Sequence, residues 1–543
     1  MTASRQRFGA FAAALIALVA VGWPGRGWGQ FVYVNNNIGG SNSISAFAVG
    51  AGGTLSAVTG SPFATGGGGS FSPDVGAVDL VVAGMRLYAS NAIGNSIAAF
   101  DIKTDGSLVT IPGSPFPTLA TRPVGIAINS TGTRLFAADF NSNNVAVFNI
   151  ASNGALTLVP FAPFGVAAGP LALAIDTANS LLFASHSAGG VGVYTIAGDG
   201  SLTSVGLTGA GGAERGLDIN AAKTRLYVAD GAPNNTVSGF NIGVGGTLTP
   251  VTDSPFTAGT DPTGVLFHPS LDVLYVSNDQ SNDISAYEIA VDGSLSDIGS
   301  PVASGANGAS GMAIDAKNNR LFVINGGSNG SPGRSISVFT IAGDGSLTAV
   351  GAPVATGAVS GSPTSITLAN ACGAAPMAGC RTAGKTSLYI KQTTPDDKDA
   401  LKWKWKNGQN TTQGEFGQPF NTRTYALCVY DNTGLVLSVK VAGDAACGSV
   451  PCWTPIKTTG LKYKDKLLAS DGILSITAKG STASKSSIQL TGKGANLPDP
   501  VLPFTGTVTA QFINTSSGVC FGSSYTGAQI TKNLTDQFRA KTP

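Results

Sequence analysis

Residues 123–159 read PVGIAINSTGTRLFAADFNSNNVAVFNIASNGALTLV. Four short apolar runs lie within this stretch: Val124–Ile128, Leu135–Ala138, Val145–Ile150 and Leu156–Val159. None is long enough for a helix that packs on its own, and the turns between them are rich in Asn, Gly, Ser and Thr. Four short strands joined by tight turns are therefore predicted. The first run is built from small residues and suits a crowded inner position. The third run alternates, as a strand with two unlike faces does.

The pattern recurs. A hydrophobic-aromatic pair appears at Val32-Tyr33, Leu87-Tyr88, Leu135-Phe136, Leu182-Phe183, Leu226-Tyr227, Leu274-Tyr275 and Leu321-Phe322, with spacings of 55, 48, 47, 44, 48 and 47 residues. About twenty residues after each anchor stands a Gly-containing turn such as Asp105-Gly106-Ser107-Leu108, Asn153-Gly154-Ala155-Leu156 or Asp344-Gly345-Ser346-Leu347, of the kind that supplies the positive φ of tight hairpins. Four strands per repeat are the mark of propeller blades. The array enters at a second strand, Phe31–Val34, and leaves with an unpartnered inner strand, Pro363–Leu368 (PTSITL). The last strand is expected to complete the first blade and close the ring, which removes exposed edges. The fold class expected is all-β, a seven-bladed β-propeller followed by a small disulfide-bonded β-sandwich. Its parts are a signal peptide at 1–29, the propeller at 30–370, a linker at 371–383 and the sandwich at 384–543.

The 543 residues include 74 Gly, only 11% charged residues and two histidines, which argues against a His-rich metal site. Residues 30–370 carry 10 Lys/Arg against 20 Asp/Glu, and residues 371–543 carry 19 against 10. An acidic front and a basic back imply two bodies, which attract each other, meet an anionic surface, or merely stay soluble. The near-neutral total gives no sign of nucleic-acid binding. Arg5 and Arg7, the apolar stretch Phe8–Trp23 and the small-x-small site Gly27-Trp28-Gly29 read as an export signal leaving Gln30 first. No transmembrane span is expected in the mature chain, and the location expected is secreted or periplasmic. Cys372, Cys380, Cys428, Cys447, Cys452 and Cys520 all fall in the basic part. An even count in an exported chain favours disulfides. Proximity suggests Cys372–Cys380 and Cys447–Cys452, leaving Cys428 with Cys520, among the fifteen pairings six cysteines allow.

With its SPF segments (Ser61-Pro62-Phe63, Ser114-Pro115-Phe116, Ser254-Pro255-Phe256), the repeat resembles the lactonase-family, YVTN-type seven-bladed β-propellers over about residues 31–370. Members related to 6-phosphogluconolactonase are catalysts, and many exported relatives have no established reaction. The resemblance implies, for an enzyme, a Pro-Arg-His motif at an inner strand and a Glu shortly after a Tyr-containing strand. The inner strands here begin Asp74-Val75-Gly76, Pro123-Val124-Gly125, Pro170-Leu171-Ala172, Arg215-Gly216-Leu217, Pro262-Thr263-Gly264, Ser310-Gly311-Met312 and Pro363-Thr364-Ser365. None reads Pro-Arg-His, and the second strands are followed by Asn or Asp rather than Glu.

One constellation comes from the repeat itself. The third residue after each aromatic anchor is Asn36, Asn91, Asp139, His186, Asp230, Asn278 and Asn325, a polar ring expected around one mouth of the channel. It is a candidate ligand-binding set. Asp139 with Asp230 could take a cation, and His186 could join an acid-base pair. Equally, Asn and Asp suit the side-chain-to-backbone bonds of such turns. The loops entering the inner strands add Arg122, Glu214, Arg215 and Asp261 on that side. An Arg among them would polarise a lactone carbonyl, with Glu214 or Asp261 as base for water. His268 is expected at the opposite end. The turn Asp279–Asp283 lacks the ligand spacing of a known calcium loop, so neither a metal nor a cofactor is expected.

In the basic module, Leu401-Lys402-Trp403-Lys404-Trp405-Lys406 alternates strictly. Leu401 and both Trp are expected inward, and the three Lys outward. Lys402, Lys404, Lys406, Lys462, Lys464 and Lys466 are candidates to meet anionic polysaccharide, lipopolysaccharide or the acidic propeller. The function expected is that of an exported bacterial binding or interaction protein acting through the polar propeller face. Its partner would be a small ligand, a glycan or an envelope protein, not a nucleic acid. A lactone hydrolase and a structural envelope or matrix protein are the alternatives.

Overall fold

The structure is a computed structural model that describes residues 30–542 apart from short internal stretches, the longest being 71–78, 328–333 and 417–424. The expected leader at 1–29 and the inner-strand start at Asp74 lie outside the described residues.

Seven antiparallel sheets of four principal strands form the front of the chain. The blade around the quoted stretch comprises Pro123–Ile128, Arg134–Asp139, Asn144–Ile150 and Leu156–Leu158 in that order. In the first blade the inner strand is Ser365–Ala369, which pairs with Gln30–Asn35 from Phe31↔Ala369 to Asn35↔Ser365. The ring thus closes by joining chain segments more than 300 residues apart, and all seven sheets gain their inner strand.

Hydrophobic cores lie between blades. One cluster combines Phe31, Tyr33, Ile44 and Ala46 of the first blade with Leu80, Leu87, Ala89 and Phe100 of the second. Another joins Val32, Val34 and Phe47 to Phe322, Ile324 and Ile336 of the seventh. The aromatic anchors add a polar latch: the hydroxyls of Tyr33, Tyr88 and Tyr275 donate to the carbonyls of Gly106, Gly154 and Gly345, at 2.8, 3.0 and 2.7 Å, in the Gly turn of the next blade. Those turns need glycine. Gly106 has φ +83° and a Cβ there would stand 2.3 Å from the Phe31 ring. The SPF serines are structural too: Ser61, Ser114 and Ser254 accept the N–H groups of Ala46, Ala99 and Gly239 on the third strand, at 2.8–2.9 Å.

Beyond the propeller, an eight-stranded sheet and a four-stranded sheet share one core that holds Leu388, Trp403, Trp405, Tyr425, Phe512 and Phe538. The strand Ala400–Gly408 buries Leu401, Trp403 and Trp405 and exposes Lys402, Lys404 and Lys406, as its alternation predicts. The disulfides are Cys372–Cys428, Cys380–Cys520 and Cys447–Cys452. Only the last follows the pairing expected from proximity. Residues 372 and 380 lie along the small sheet, so each meets a strand neighbour, Cys428 or Cys520, rather than the other. The described residues hold no free cysteine, which places this module in an oxidising compartment. Among the described residues no helix is long and apolar enough to cross a membrane.

Candidate functional site

Six of the seven ring residues end a second strand, and Asn36 follows one directly. The expectation that they line an open mouth is corrected: all seven are 0% exposed. A residue at this position turns away from the face that carries the Tyr latch and enters the seam with the preceding blade. There it ties its own third strand or the neighbouring loop. Asn36 donates to Ser43 Oγ and Ser45 Oγ at 3.0 and 2.8 Å, and Asn325 repeats the arrangement with Ser335 and Ser337 at 3.2 and 2.8 Å. Asn278 does so with Asp283 and Ser285, at 2.7 and 3.0 Å. Asp230 accepts from Thr236 and Ser238 at 2.9 and 2.7 Å. Asn91 accepts from Thr65 of the preceding blade at 2.7 Å.

Asp139 and His186 fit this scheme least well. Neither carboxylate oxygen of Asp139 meets a partner of ordinary hydrogen-bond geometry. Burial, only partly offset by the nearby Thr118 hydroxyl and Ala146 amide, pushes its carboxyl up to about 7. Burial likewise raises Asp230, to about 6, against the bonds from Ser238 and Thr236. His186 lies 3.3 Å from the Tyr194 hydroxyl through Nε2, and its Nδ1 has no such partner. Burial lowers its pKa, opposed by the nearby Ala168 and Ala167 backbone and the charge of Glu214.

The entry loops form the second set. The pairings Pro123↔Asp139, Pro170↔His186, Glu214↔Asp230, Pro262↔Asn278 and Ala309↔Asn325 fix the common register. In it the fifth and seventh inner strands begin at Glu214 and Ala309, one residue earlier than the sequence reading placed them. Glu214 therefore takes the proline position, and Arg215 takes the middle position of the Pro-Arg-His pattern, with Gly216 where that pattern has His. A register shift follows the first residue of each of these strands, and such bulges re-aim side chains. Arg215, inside the bulge, is paired with Asp261 of the next blade at 3.0 Å, with side-chain exposures of 15% and 10%. Glu214 is 0% exposed; Oε1 accepts the Gly212 N–H at 3.0 Å and Oε2 is unpartnered.

Arg122 and Asp261 occupy the residue just before the inner strand, at φ 63° and 54°. Gly169 and Gly308 stand there in other blades, at φ 63° and 80°. In each case an Asn side chain of the adjacent turn accepts the backbone N–H: Asn95 for Arg122 at 2.9 Å, Asn143 for Gly169 at 2.8 Å, Asn235 for Asp261 at 2.8 Å and Asn282 for Gly308 at 2.7 Å. The left-handed backbone costs a non-glycine residue roughly 1 kcal/mol, and two charged residues bear that cost here. The Arg122 guanidinium lies over the Phe140 ring at 5.0 Å. On the neighbouring loops Leu119 and Ile93 are 72% and 49% exposed.

Two carboxylates escaped the sequence reading. Asp79 accepts from Ser365 Oγ of the first blade at 2.8 Å and Ile126 N of the third at 3.2 Å; Asp218 accepts Phe267 N of the sixth blade at 3.0 Å. Burial raises both, Asp218 to about 6. An Asp inside the apolar runs Val78-Asp79-Leu80 and Leu217-Asp218-Ile219 was the available signal. His268, after its inner strand, organises a turn: Nδ1 accepts the N–H groups of Ser270 and Leu271 at 3.2 and 2.9 Å. In the turn 279–283, the Asp283 carboxylate accepts from Asn278 and Ser281, at 2.7 and 3.1 Å.

The sandwich carries a different surface. Directly opposed residues of an antiparallel ladder share a face, and the registers Tyr389↔Lys402, Ser387↔Lys404, Lys385↔Lys406, Tyr389↔Arg539, Ser387↔Lys541, Thr477↔Lys462 and Ser475↔Lys464 put eight cations on one side of the large sheet. All eight are exposed. Thr491 and Gln489, opposite Lys402 and Lys404, continue that face toward Ser475 and Thr477. None of these register positions holds an acid, and among the described residues no ion pair involves any of the eight cations. Lys466, the remaining candidate, is exposed beyond the strand end.

Comparison with solved structures returns the same propeller. A protein from Lactobacillus plantarum matches at 15% identity and TM-score 0.51, over 63% of this chain and 99% of that one. A putative 6-phosphogluconolactonase from Bacteroides fragilis matches at 16% and 0.51, over 63% and 98%. The periplasmic gluconolactonase of Pseudomonas aeruginosa matches at 18% and 0.50, over 63% and 99%. At such identities the likeness is one of fold. No curated protein matches in sequence. The family model described as "Lactonase, 7-bladed beta-propeller" matches residues 66–167 and 165–363, more than half of the chain, and this protein belongs to that family.

Proposed function

We propose that this protein is an exported binding and interaction protein that engages anionic envelope glycan through its sandwich and a ligand or partner through the polar end of its propeller. The observation that carries this reading is the uncompensated basic face: eight exposed cations with Ser, Thr and Gln between them and no acid in register. Lysines on alternate residues of one strand stand roughly 7 Å apart, and neighbouring strands about 4.8 Å apart, so an extended polyanion lies across several at once. At the propeller end the seven ring residues are buried, so contact falls to the loops above them, with Leu119, Ile93, Arg122 and the Arg215–Asp261 pair.

The mature chain should be retained on an immobilised polyuronate at low salt and released as salt screens the surface charges. The double variant Lys402→Glu/Lys404→Glu should abolish retention. Retention unchanged in that variant would overturn the reading.

One observation favours the lactone hydrolase as the second reading. Arg215 stands at the middle position of the family's motif, with Asp261 at 3.0 Å. The unpartnered Glu214 Oε2 and His186 Nδ1 belong to residues that influence each other electrostatically. In that reading Arg215 polarises the lactone carbonyl, and a water deprotonated by Glu214 attacks it. A pH-stat panel of sugar and aliphatic lactones separates the two. The binding reading expects no turnover above buffer, whereas turnover removed by Arg215→Ala would establish the hydrolase.

A further inference from the structure

The loop that links the strands Ala383–Lys391 and Ala400–Gly408 contains Asp396 and Asp399, and Asp499 follows the strand Ser486–Lys493. A carboxylate oxygen from each of the three lies within 4.8 Å of the other two. Asp399 is 2% exposed. Its Oδ1 accepts from the Thr393 N–H and hydroxyl at 2.7 and 2.9 Å, which aligns the carboxylate. Its Oδ2, also shut off from solvent, has no hydrogen-bond partner. Among the described residues Asp499 receives only a long bond from Gln392 Nε2, at 3.4 Å. Among the described residues no Lys, Arg or His nitrogen lies within ion-pair distance of these carboxylates.

Three clustered carboxylates, one with a buried, unsatisfied oxygen and none ion-paired to a cation, would be a costly arrangement. Either a shared proton or a bound cation must offset it. The donor set is all oxygen, which suits a hard cation and not a thiol- or imidazole-seeking one. Oxygens on one calcium ion stand at 2.3–2.6 Å from it, hence at most roughly 5 Å from one another, and the triad meets that limit. Asp396 and Asp499 are exposed and border an open hollow of about 600 Å³, so water can complete a shell of six to eight ligands.

We infer that Asp396, Asp399 and Asp499 form a calcium site that staples the 392–399 loop to the segment around Asp499. The ion replaces the missing counter-charge and holds the end of the large sheet together. Its effect is read selectively, because the Trp residues outside the leader, Trp403, Trp405 and Trp453, all lie in the sandwich.

The test uses the chain from Gln30 to Pro543, stripped with chelator and titrated with calcium chloride by calorimetry, while Trp fluorescence follows the melt. One ion per chain is expected. Tm should rise by about 5 °C or more at roughly a hundredfold excess over Kd. Asp499→Asn, an exposed change that leaves the Asp399 hydrogen bonds intact, should weaken calcium binding at least about tenfold, and Asp399→Asn should abolish it. If Asp399→Asn does not fold, Asp499→Asn decides alone. No heat and no shift in Tm up to about 10 mM calcium, beyond the weak range of extracellular sites, would overturn the inference and leave a proton shared by the carboxylates. Calcium binding unaltered in Asp499→Asn would overturn it equally.

Discussion

Asp139→Asn should make the propeller more stable at neutral and alkaline pH, and the gain should vanish in acid. Asp139 is fully buried, neither carboxylate oxygen is properly paired, and burial lifts its pKa to about 7 from the ordinary aspartate value of 3.8. The sign follows from linkage. Between pH 4 and 7 the native state keeps a proton that the unfolded chain has released, so stability is fully present below pH 4 and falls as pH rises through 7. A displacement of about three pH units corresponds to about 4 kcal/mol. Asn keeps the shape, carries no charge, and already occupies the equivalent position at 36, 91, 278 and 325. The assay is scanning calorimetry of both proteins at pH 5 and pH 8, with the sandwich transition assigned separately by Trp fluorescence. In a domain of this size about 4 kcal/mol is several degrees in Tm. A propeller transition lower in Asp139→Asn than in the parent at pH 8, or the same difference at both pH values, would refute the reasoning.

Removing the Tyr275 hydroxyl deletes the 2.7 Å latch to Gly345, and Tyr275→Phe should cost about 1 kcal/mol, read as a small fall in the propeller Tm; Phe already serves at 136, 183 and 322. Arg215→Ala leaves the nearly buried Asp261 without its partner and should cost about 2–3 kcal/mol, whereas adding Asp261→Ala should restore part of that loss; equal costs for the single and double variants would show that the pair is not coupled. On the chain-entropy account, Cys380→Ser/Cys520→Ser opens a span of 140 residues and should cost about 5 kcal/mol, against about 2 for the span of 5 between Cys447 and Cys452. Urea titrations followed by Trp fluorescence would show whether that order holds.

The fold was legible because its signals are local and repeated. An aromatic anchor and a Gly turn recur every 44 to 55 residues, and each has a reason the structure supplies: Tyr33 reaches Gly106, and Gly106 has no room for a side chain. Closure was legible too, since the orphan inner strand at 365–369 and the entry at 30–35 each lacked what the other had. The alternation of Leu401 to Lys406 settled which side of that strand is wet. The long disulfides were not legible, because Cys372 and Cys380 find their partners across the small sheet and sequence distance carries no information about that.

The polar ring shows where periodicity stops short. Spacing located its seven members but not the direction of their side chains, which depends on strand parity. The Tyr at position 88 faces the next blade, so Asn91, three residues on, faces the preceding one. The bulge after the first inner-strand residue caused the second error. It inserts an unpaired step that the sequence pattern does not mark, so the apolar run of the fifth inner strand points to Arg215 as its start and hides that Glu214 replaces a proline. What distinguishes this propeller is therefore written in departures from its own repeat. Glu214 stands where four blades have Pro, Arg122 and Asp261 where others have Gly, and Asp139 and His186 where the other five have a hydrogen-bonded Asn or Asp. The repeat does not need these residues to fold, and at four of the five it pays in backbone strain or an unsatisfied buried oxygen. Reverting each to the residue its repeat prefers separates architecture from function. Except at Asp261, whose loss strands Arg215, stability should hold or rise, and whatever the propeller binds or turns over should be lost.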